Sequence, residues 1–149
     1  MKIAIGTDHA GYPLKETVIA AVKASGHEVI DLGIHTLEKA DFPDLAELVG
    51  NTIQSGRAER GILICGSGVG VCIAANKMRG VYASTCHDTY SAHQGVEHDG
   101  MNVLCMGGRV IGIEPAAEIV RAFLSACFIH DERFTRRFNK IKEIEARGK

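Results

Sequence analysis

The sequence predicts an α/β protein in which a five-stranded parallel sheet is covered by helices on both faces. Short apolar runs alternate along the whole chain with longer segments whose apolar residues recur at helical spacing. Consecutive apolar runs are separated by connections long enough for a crossover helix, as parallel strands require. The 149 residues match the usual size of one domain, so residues 1–149 are expected to fold as a single unit.

Each predicted strand is a short apolar run. The strands are expected at residues 2–7, 27–32, 61–65, 80–85 and 102–106. The third run, which ends at Cys65, is typical of a strand buried on both faces. The parallel arrangement places the carboxyl ends of all five strands at one edge of the sheet, where ligands bind in folds of this class.

The predicted helices lie between and after these strands. They are expected at residues 14–24, 43–56, 71–78, 89–98, 114–128 and 132–147. Leu14, Val18 and Val22 recur at helical spacing in the first of them. Pro43 and Pro115 stand in first turns, where proline is tolerated because the first N–H groups have no partner.

Composition narrows the class of protein. The hydrophobic content of 46% is ample for one core, and the net charge of −1 gives no field that attracts nucleic acid or a membrane surface. The apolar runs are too short to span a bilayer, and the first residues lead directly into a strand. A cytoplasmic protein is therefore expected. Its five cysteines are odd in number and mostly apolar in surroundings, which favours reduced, buried thiols over disulfides.

The segment from Cys65 to Gly70, with the sequence Cys-Gly-Ser-Gly-Val-Gly, is the strongest functional signal. It follows the third strand and precedes a helix. Glycines at alternate positions allow backbone N–H groups to approach a ligand, and such groups bind anions at the end of a strand. The thiol of Cys65 and the hydroxyl of Ser67 are thus predicted to lie beside a place where negative charge is stabilised.

Two other classes of protein share parts of this pattern. A nucleotide-binding module is suggested by the glycines and by Asp88 about 20 residues beyond them, although the spacing is G-x-G-x-G and the loop follows the third strand. A metal site is suggested by Cys86-His87 together with His93 and His98. No C-x-x-C or H-E-x-x-H spacing supports the metal site, so no metal or other cofactor is expected.

Several motifs occur in an order that resembles one family. They are Asp8-His9-x-Gly11, Asp41-x-Pro43, Cys65-Gly-Ser-Gly-Val-Gly70, Ala74-Ala-Asn-Lys77, His98 before Asn102-Val103, Gly108-Arg109-Val110, and Arg133 with Arg137. Together they resemble the type B ribose-5-phosphate isomerases, a family that also includes galactose-6-phosphate isomerase subunits. The resemblance covers nearly the whole chain.

The resemblance implies a Rossmann-like three-layer α/β/α fold and a homodimer, or a dimer of dimers, with shared active sites. The C-terminal helix at about 132–147 would extend to the partner subunit. The reaction would interconvert an aldose phosphate and a ketose phosphate through an enediol, without a cofactor. Cys65 would be the base that transfers the proton between neighbouring carbons.

The resemblance also assigns roles to individual residues. Ser67 would move a proton between substrate oxygens, and His98 would open the sugar ring by protonating the ring oxygen or accepting the hydroxyl proton. Asp8 would bind a sugar hydroxyl or orient His98. The remaining substrate-binding residues would be His9, Gly66, Gly68, Val69, Gly70, Asp99, Arg109, Arg133 and Arg137. The arginines would bind phosphate, for which guanidinium groups are suited.

Three residues depart from the common pattern of that family. Phe42 stands where tyrosine is usual, Asp99 where asparagine is common, and Phe134 where histidine is frequent. The identity of the sugar phosphate therefore stays open at this point. Ribose 5-phosphate is expected first, with allose 6-phosphate and galactose 6-phosphate as alternatives.

Overall fold

The structure, a computed structural model, describes residues 1–148 and confirms the predicted α/β class. Its strands are β1 (Lys2–Thr7), β2 (Glu28–Asp31), β3 (Arg60–Cys65), β4 (Ala83–Thr85) and β5 (Val103–Gly107). Its helices are α1 (Tyr12–Ala24), α2 (Phe42–Gln54), α3 (Val69–Ala75), α4 (Thr89–Asp99), α5 (Ile113–Ser125) and α6 (Glu132–Gly148).

The strands pair in parallel in the order β2-β1-β3-β5-β4. The chain moves outward from β1 to β2 and then returns to place β3 on the other side of β1. This reversal opens a crevice beyond the carboxyl ends of β1 and β3, because the helices that follow these strands lie on opposite faces of the sheet. The end of β1 is followed by Asp8, and the end of β3 is Cys65.

Alternate residues of the central strands fill two cores. Ile62 and Ile64 of β3 point to the face covered by α1, α4 and α5, whereas Leu63 and Cys65 point to the face covered by α2 and α3. Phe123 of α5 is completely buried in the first core. Strands with both faces covered account for the continuous apolar runs in the sequence.

Several predicted elements have different bounds in the structure; the helix predicted at 114–128, for example, spans Ile113–Ser125. The strand predicted at 80–85 begins only at Ala83, since Gly80 adopts a φ of +74° in the turn before it. The helix predicted at 71–78 begins at Val69 and ends at Ala75. It stops there because the side chain of Asn76 accepts the N–H of Ala83 at 2.9 Å and donates to its carbonyl at 2.8 Å.

Helix α6 packs against α4 of the same chain. Phe134, 4% exposed, is the buried residue of α6. Near the other end of α6, the carboxylate of Glu145 accepts the N–H of Gly80 at 2.7 Å and the hydroxyl of Tyr82 at 3.2 Å. Both ends of the helix are therefore fixed to the domain, while its outer face stays exposed.

Candidate active site

A cavity of about 460 Å³ lies in the crevice beyond β1 and β3. Its lining residues are Asp8, His9, Ala10, Phe42, Cys65, Gly66, Ser67, Gly70, Arg109 and Val110. They come from the ends of β1 and β3, the start of α2 and the turn after β5. The fold thus brings together the predicted residues that follow three different strands.

Cys65 combines burial with access to this cavity. Its side chain is 5% exposed and its thiol lies at the cavity wall. The N–H of Gly68 donates a hydrogen bond to its Sγ, with a separation of 3.2 Å. This bond holds the sulfur in place at the cavity wall. The arrangement suits a base that gains and loses a proton.

The backbone conformation of the loop between β3 and α3 requires glycine at position 68. Gly68 has a φ of +80°, and a Cβ there would lie 2.9 Å from the backbone of Met106. This close approach seats the loop against β5 and aims the Gly68 N–H at the Cys65 sulfur. Gly68 and Val69 are not among the residues that line the cavity, although their backbone belongs to the same loop.

Gly70 and Phe42 form one wall of the cavity. A Cβ at Gly70 would lie 2.9 Å from the Phe42 ring, so only glycine allows the aromatic side chain to pack there. Phe42 begins α2 and is 38% exposed. The wall that it forms is apolar and has no hydrogen-bonding group. The hydroxyl of Ser67 lies beside it and accepts the N–H of Val69 at 3.3 Å.

The β1 end contributes a carboxylate and an imidazole. Asp8 is 5% exposed, and its Oδ1 accepts the N–H groups of Ala10 and Gly11, each at 2.9 Å. These two bonds fix the carboxylate at the cavity and stabilise its charge. His9 also lines the cavity, and its buried Nδ1 has no hydrogen-bond partner within the described residues.

Arg109 supplies the positive charge at this cavity. Its position depends on two backbone bonds across the sheet edge: Gly108 N–H donates to the Cys65 carbonyl at 2.8 Å, and Arg109 N–H donates to the Gly66 carbonyl at 3.1 Å. His87 supports the same turn, because its Nε2 accepts the Gly107 N–H at 2.9 Å. A guanidinium held in this way is suited to a phosphate or an enediolate oxygen.

The other predicted site residues lie outside this cavity. His98 and Asp99 are at the end of α4, and Arg133 and Arg137 are exposed on α6. The imidazole of His98 stacks on the ring of Phe134, with centroids 4.0 Å apart and planes 11° apart. The Arg133 guanidinium lies 4.5 Å from the centroid of the same ring. One chain therefore contains two separate groups of the predicted residues.

The prediction of buried thiols is wrong for two of the remaining cysteines. All five are free, but Cys127 is exposed and Cys72 is only partly buried. Hydrogen bonding from Cys105, with further bonds from Thr85 and Asn76, lowers the pKa of Cys72 to about 6. Burial raises the pKa of Cys105 and of Cys86.

Sequence reasoning missed some of the residues near the site. Ala10 and Val110 line the cavity without a chemical group that could have pointed to them, and only the fold places them there. Gln94 was also missed, although it contacts His98. The sequence did contain one indication of this contact. Gln94 is four residues before His98, and this spacing puts both side chains on one helix face.

The described residues also bear on metal and membrane binding. Among residues 1–148, no group of three or more histidine, cysteine, aspartate or glutamate side chains is arranged to hold a metal ion. Over the same range, no helix has the length and apolarity needed to cross a bilayer.

The fold and the cavity define an α/β protein with an acid–base site at the carboxyl edge of its sheet. The model of the family described as Ribose/Galactose Isomerase matches residues 3–141, and the chain belongs to this family. This confirms the resemblance found in the sequence and makes the chain an isomerase rather than a nucleotide-binding module.

Individual relatives agree with the family assignment. Ribose-5-phosphate isomerase B of Escherichia coli (strain K12) is 43% identical over 146 residues, which are 98% of this chain and 97% of that protein. D-erythrulose-4-phosphate isomerase of Pectobacterium atrosepticum is 43% identical over 86% of this chain and 85% of its own length. The solved structure of Clostridium thermocellum ribose-5-phosphate isomerase B superposes with a TM-score of 0.95 at 44% identity, covering 100% of both chains.

Proposed function

We propose that this chain interconverts ribose 5-phosphate and ribulose 5-phosphate through an enediolate, with Cys65 as the base. The observation that carries the proposal is the Cys65 thiol at the cavity wall with the Gly68 N–H 3.2 Å from its sulfur. The thiolate would remove the proton from the carbon beside the carbonyl and return it to the neighbouring carbon. One base suffices, because the two carbons are adjacent.

The enediolate needs partners for its oxygens. Arg109, Gly66 and Gly70 lie at the same cavity as Cys65, and Ser67 offers a hydroxyl that exchanges protons with either oxygen. Asp8 and His9 face the cavity from β1 and are placed to bind sugar hydroxyls. Donors arranged before the reaction begins stabilise the developing charge without having to move.

We further propose that the phosphate site and the ring-opening histidine come from a second copy of the chain. His98, Asp99, Arg133 and Arg137 lie outside the cavity of their own chain, and both arginines are exposed. In a homodimer or a dimer of dimers, α6 of one subunit would bring its arginines to the cavity of the other. Arg133 and Arg137 are four residues apart, so one helix face presents both.

Isomerisation of erythrulose 4-phosphate is a second candidate function. A relative named for that activity is as similar to this chain as the ribose-5-phosphate isomerase of Escherichia coli. The apolar wall at Phe42 has no group to bind an additional sugar hydroxyl, which also suits a shorter substrate. Both candidates use the same base and the same type of intermediate, a 1,2-enediolate.

The deciding experiment is a coupled isomerase assay with ribose 5-phosphate, erythrulose 4-phosphate, allose 6-phosphate and galactose 6-phosphate. We expect turnover of ribose 5-phosphate, lost by about a thousandfold in Cys65→Ala because a general base contributes an effect of that order. Cys86→Ala is a matched control at a buried cysteine that is not among the cavity residues. Turnover of none of the four compounds, or full activity in Cys65→Ala, would contradict the proposal.

A further inference from the structure

A side-chain amide contacts both His98 and Asp99. Nε2 of Gln94 lies 3.0 Å from Nδ1 of His98 and 3.3 Å from Oδ2 of Asp99. Gln94 is in α4, four residues before the histidine. The same cluster holds Phe134, which covers one face of the imidazole.

The chemistry of these contacts fixes the direction of each hydrogen bond. A carboxylate only accepts hydrogen bonds, so the nitrogen of the Gln94 amide, and not its oxygen, must face Asp99. The same nitrogen faces His98, and its two hydrogens serve the two partners. Nδ1 of His98 is therefore the acceptor, and in the neutral ring the proton resides on Nε2.

The plane of the imidazole is fixed as well. Phe134 is 4% exposed and anchors α6 against α4, and its ring is nearly parallel to that of His98, with centroids 4.0 Å apart. Rotation of the imidazole out of this plane would break the stack. With its Nδ1 edge bound to Gln94, the ring must present its Nε2 edge away from that amide.

We propose that Gln94 is a positioning residue that holds His98 as a neutral donor, with its Nε2–H directed to a sugar oxygen. This inference rests on the proposed function, which places His98 in the shared active site. It selects hydrogen-bond donation over proton acceptance as the role of the histidine. A neutral imidazole is an effective donor to a substrate oxygen on which charge develops, since no charged state has to form first.

The direct test is ¹⁵N NMR of the intact protein labelled at histidine, at about pH 9, where an ordinary imidazole is neutral. Comparison with His98→Asn identifies the His98 signals among the seven histidines. We expect the proton on Nε2 in the wild-type protein and on Nδ1 in Gln94→Glu, whose carboxylate accepts rather than donates. A proton on Nδ1 in the wild-type protein, or no change in Gln94→Glu, would overturn the proposal.

Two further variants separate positioning from a general effect on the helix. Gln94→Met keeps the length of the side chain but has no donor, so we expect the two tautomers to mix. Gln54→Met is the matched control, because Gln54 is also in a helix and its side-chain amide donates to the carbonyl of Arg79 instead of to a histidine. It should leave the His98 signals unchanged.

A kinetic comparison connects the tautomer to the reaction. In Gln94→Glu we expect kcat/KM for ribose 5-phosphate to fall about tenfold, since the donor at Nε2 is lost. Erythrulose 4-phosphate cannot close a ring, because its terminal oxygen carries the phosphate. A loss confined to ribose 5-phosphate assigns the donor to ring opening, and a loss on both substrates assigns it to the enediolate.

Unchanged rates on both substrates in Gln94→Glu would overturn the donor role. The NMR measurement needs no turnover, so the two proposals fail separately. If the wild-type protein isomerises neither compound, the proposed function fails while the ring tautomer still decides the role of Gln94. If it isomerises ribose 5-phosphate with the proton on Nδ1, the positioning role fails while the proposed function stands.

Discussion

The two groups of predicted site residues differ in how the fold holds them. At the sheet edge, Cys65 and Asp8 are each 5% exposed and are bound by backbone N–H groups of adjacent loops. On α4 and α6, by contrast, Arg133 and Arg137 are exposed, and Arg133 pairs with Asp131 at 3.4 Å. The first group, called the sheet-edge group, is built into the core. The second, called the helical group, is presented on the surface.

This difference suits the two tasks of a sugar-phosphate isomerase, which are proton transfer and binding of the phosphate group. Proton transfer requires a base held at a fixed distance from the substrate, and backbone bonds at a sheet edge provide such precision. Binding a phosphate requires charge and reach, which long arginine side chains provide at a surface.

The largest effect is expected from mixing two defective chains. Cys65→Ala lacks the base, and Arg137→Ala lacks a phosphate ligand. If each active site combines Cys65 of one subunit with Arg137 of the other, a mixed dimer has one intact site. Random pairing then restores about a quarter of the wild-type activity at low substrate concentration.

Co-expression of the two chains with different affinity tags provides the measurement. The two single variants, assayed separately and then combined without exchange of subunits, serve as the control. Activity of the co-expressed protein equal to the mean of the two variants would show that Cys65 and Arg137 do not meet across subunits.

A smaller effect is expected from Arg137→Ala alone. Loss of one charge-assisted bond to phosphate removes about 1.5–3 kcal/mol of binding, so KM should rise by about 10- to 100-fold. The value of kcat should change little, because the bond is made equally in the ground state and the transition state. Arg136→Ala, a change at the neighbouring exposed arginine, is the matched control. A KM equal to that of the wild-type enzyme would remove Arg137 from the phosphate site.

The sheet-edge group should be sensitive to packing. A Cβ added at Gly11 would collide with the carbonyl group of Ile64, next to Cys65. Gly11→Ala should therefore lower the free energy of unfolding by about 2–3 kcal/mol, as measured by urea denaturation. Gly148→Ala is the control, since a Cβ there meets no atom within 4 Å. Equal stabilities of the two variants would contradict the close packing described for the cavity.

The smallest effect on activity is expected from alkylation of Cys72, because its thiol lies outside the cavity. With a pKa of about 6, its alkylation rate should rise through pH 6 and then level off. Ribose 5-phosphate should protect Cys65 and leave Cys72 reactive. Peptide mass analysis after timed alkylation gives both rates. A Cys72 rate that keeps rising to about pH 9 would show an ordinary thiol.

The same pKa has a consequence for stability. The pKa of Cys72 is lower in the folded protein than in the unfolded chain, so ionised Cys72 stabilises the fold above the unfolded pKa. This contribution is lost as the pH falls through about 6. Cys72→Ser should remove that part of the pH dependence of stability. Denaturation of the wild-type protein and the variant at pH 5 and at pH 8, with each pH held to within about 0.2 pH units, would detect the difference.

The sheet-edge group was predictable because its signals are local. An apolar run followed by alternating glycines indicates a buried strand and a tight loop, and both end at Cys65. Parallel strands share one carboxyl edge, so the placement of Asp8 and Arg109 near Cys65 followed from the order of strands and helices. The roles of these residues came from resemblance and stay predictions.

The helical group was less predictable because its contacts are formed by packing between elements. The stack of His98 on Phe134 depends on how α6 lies against α4, and neither helix contains that information alone. The lowered pKa of Cys72 likewise depends on Cys105 and Thr85, which come from two other strands.

The sequence by itself determined the alternation of strands and helices, the edge at which ligands bind and the family of the chain. These properties depend on the periodicity of apolar residues, the positions of glycines and the order of motifs, all of which can be read from the sequence. Only the tertiary structure decided that His98 and the two arginines of α6 lie apart from the Cys65 cavity, and that Gln94 binds the histidine. Distances between elements depend on how side chains pack, and packing is a property of the whole fold.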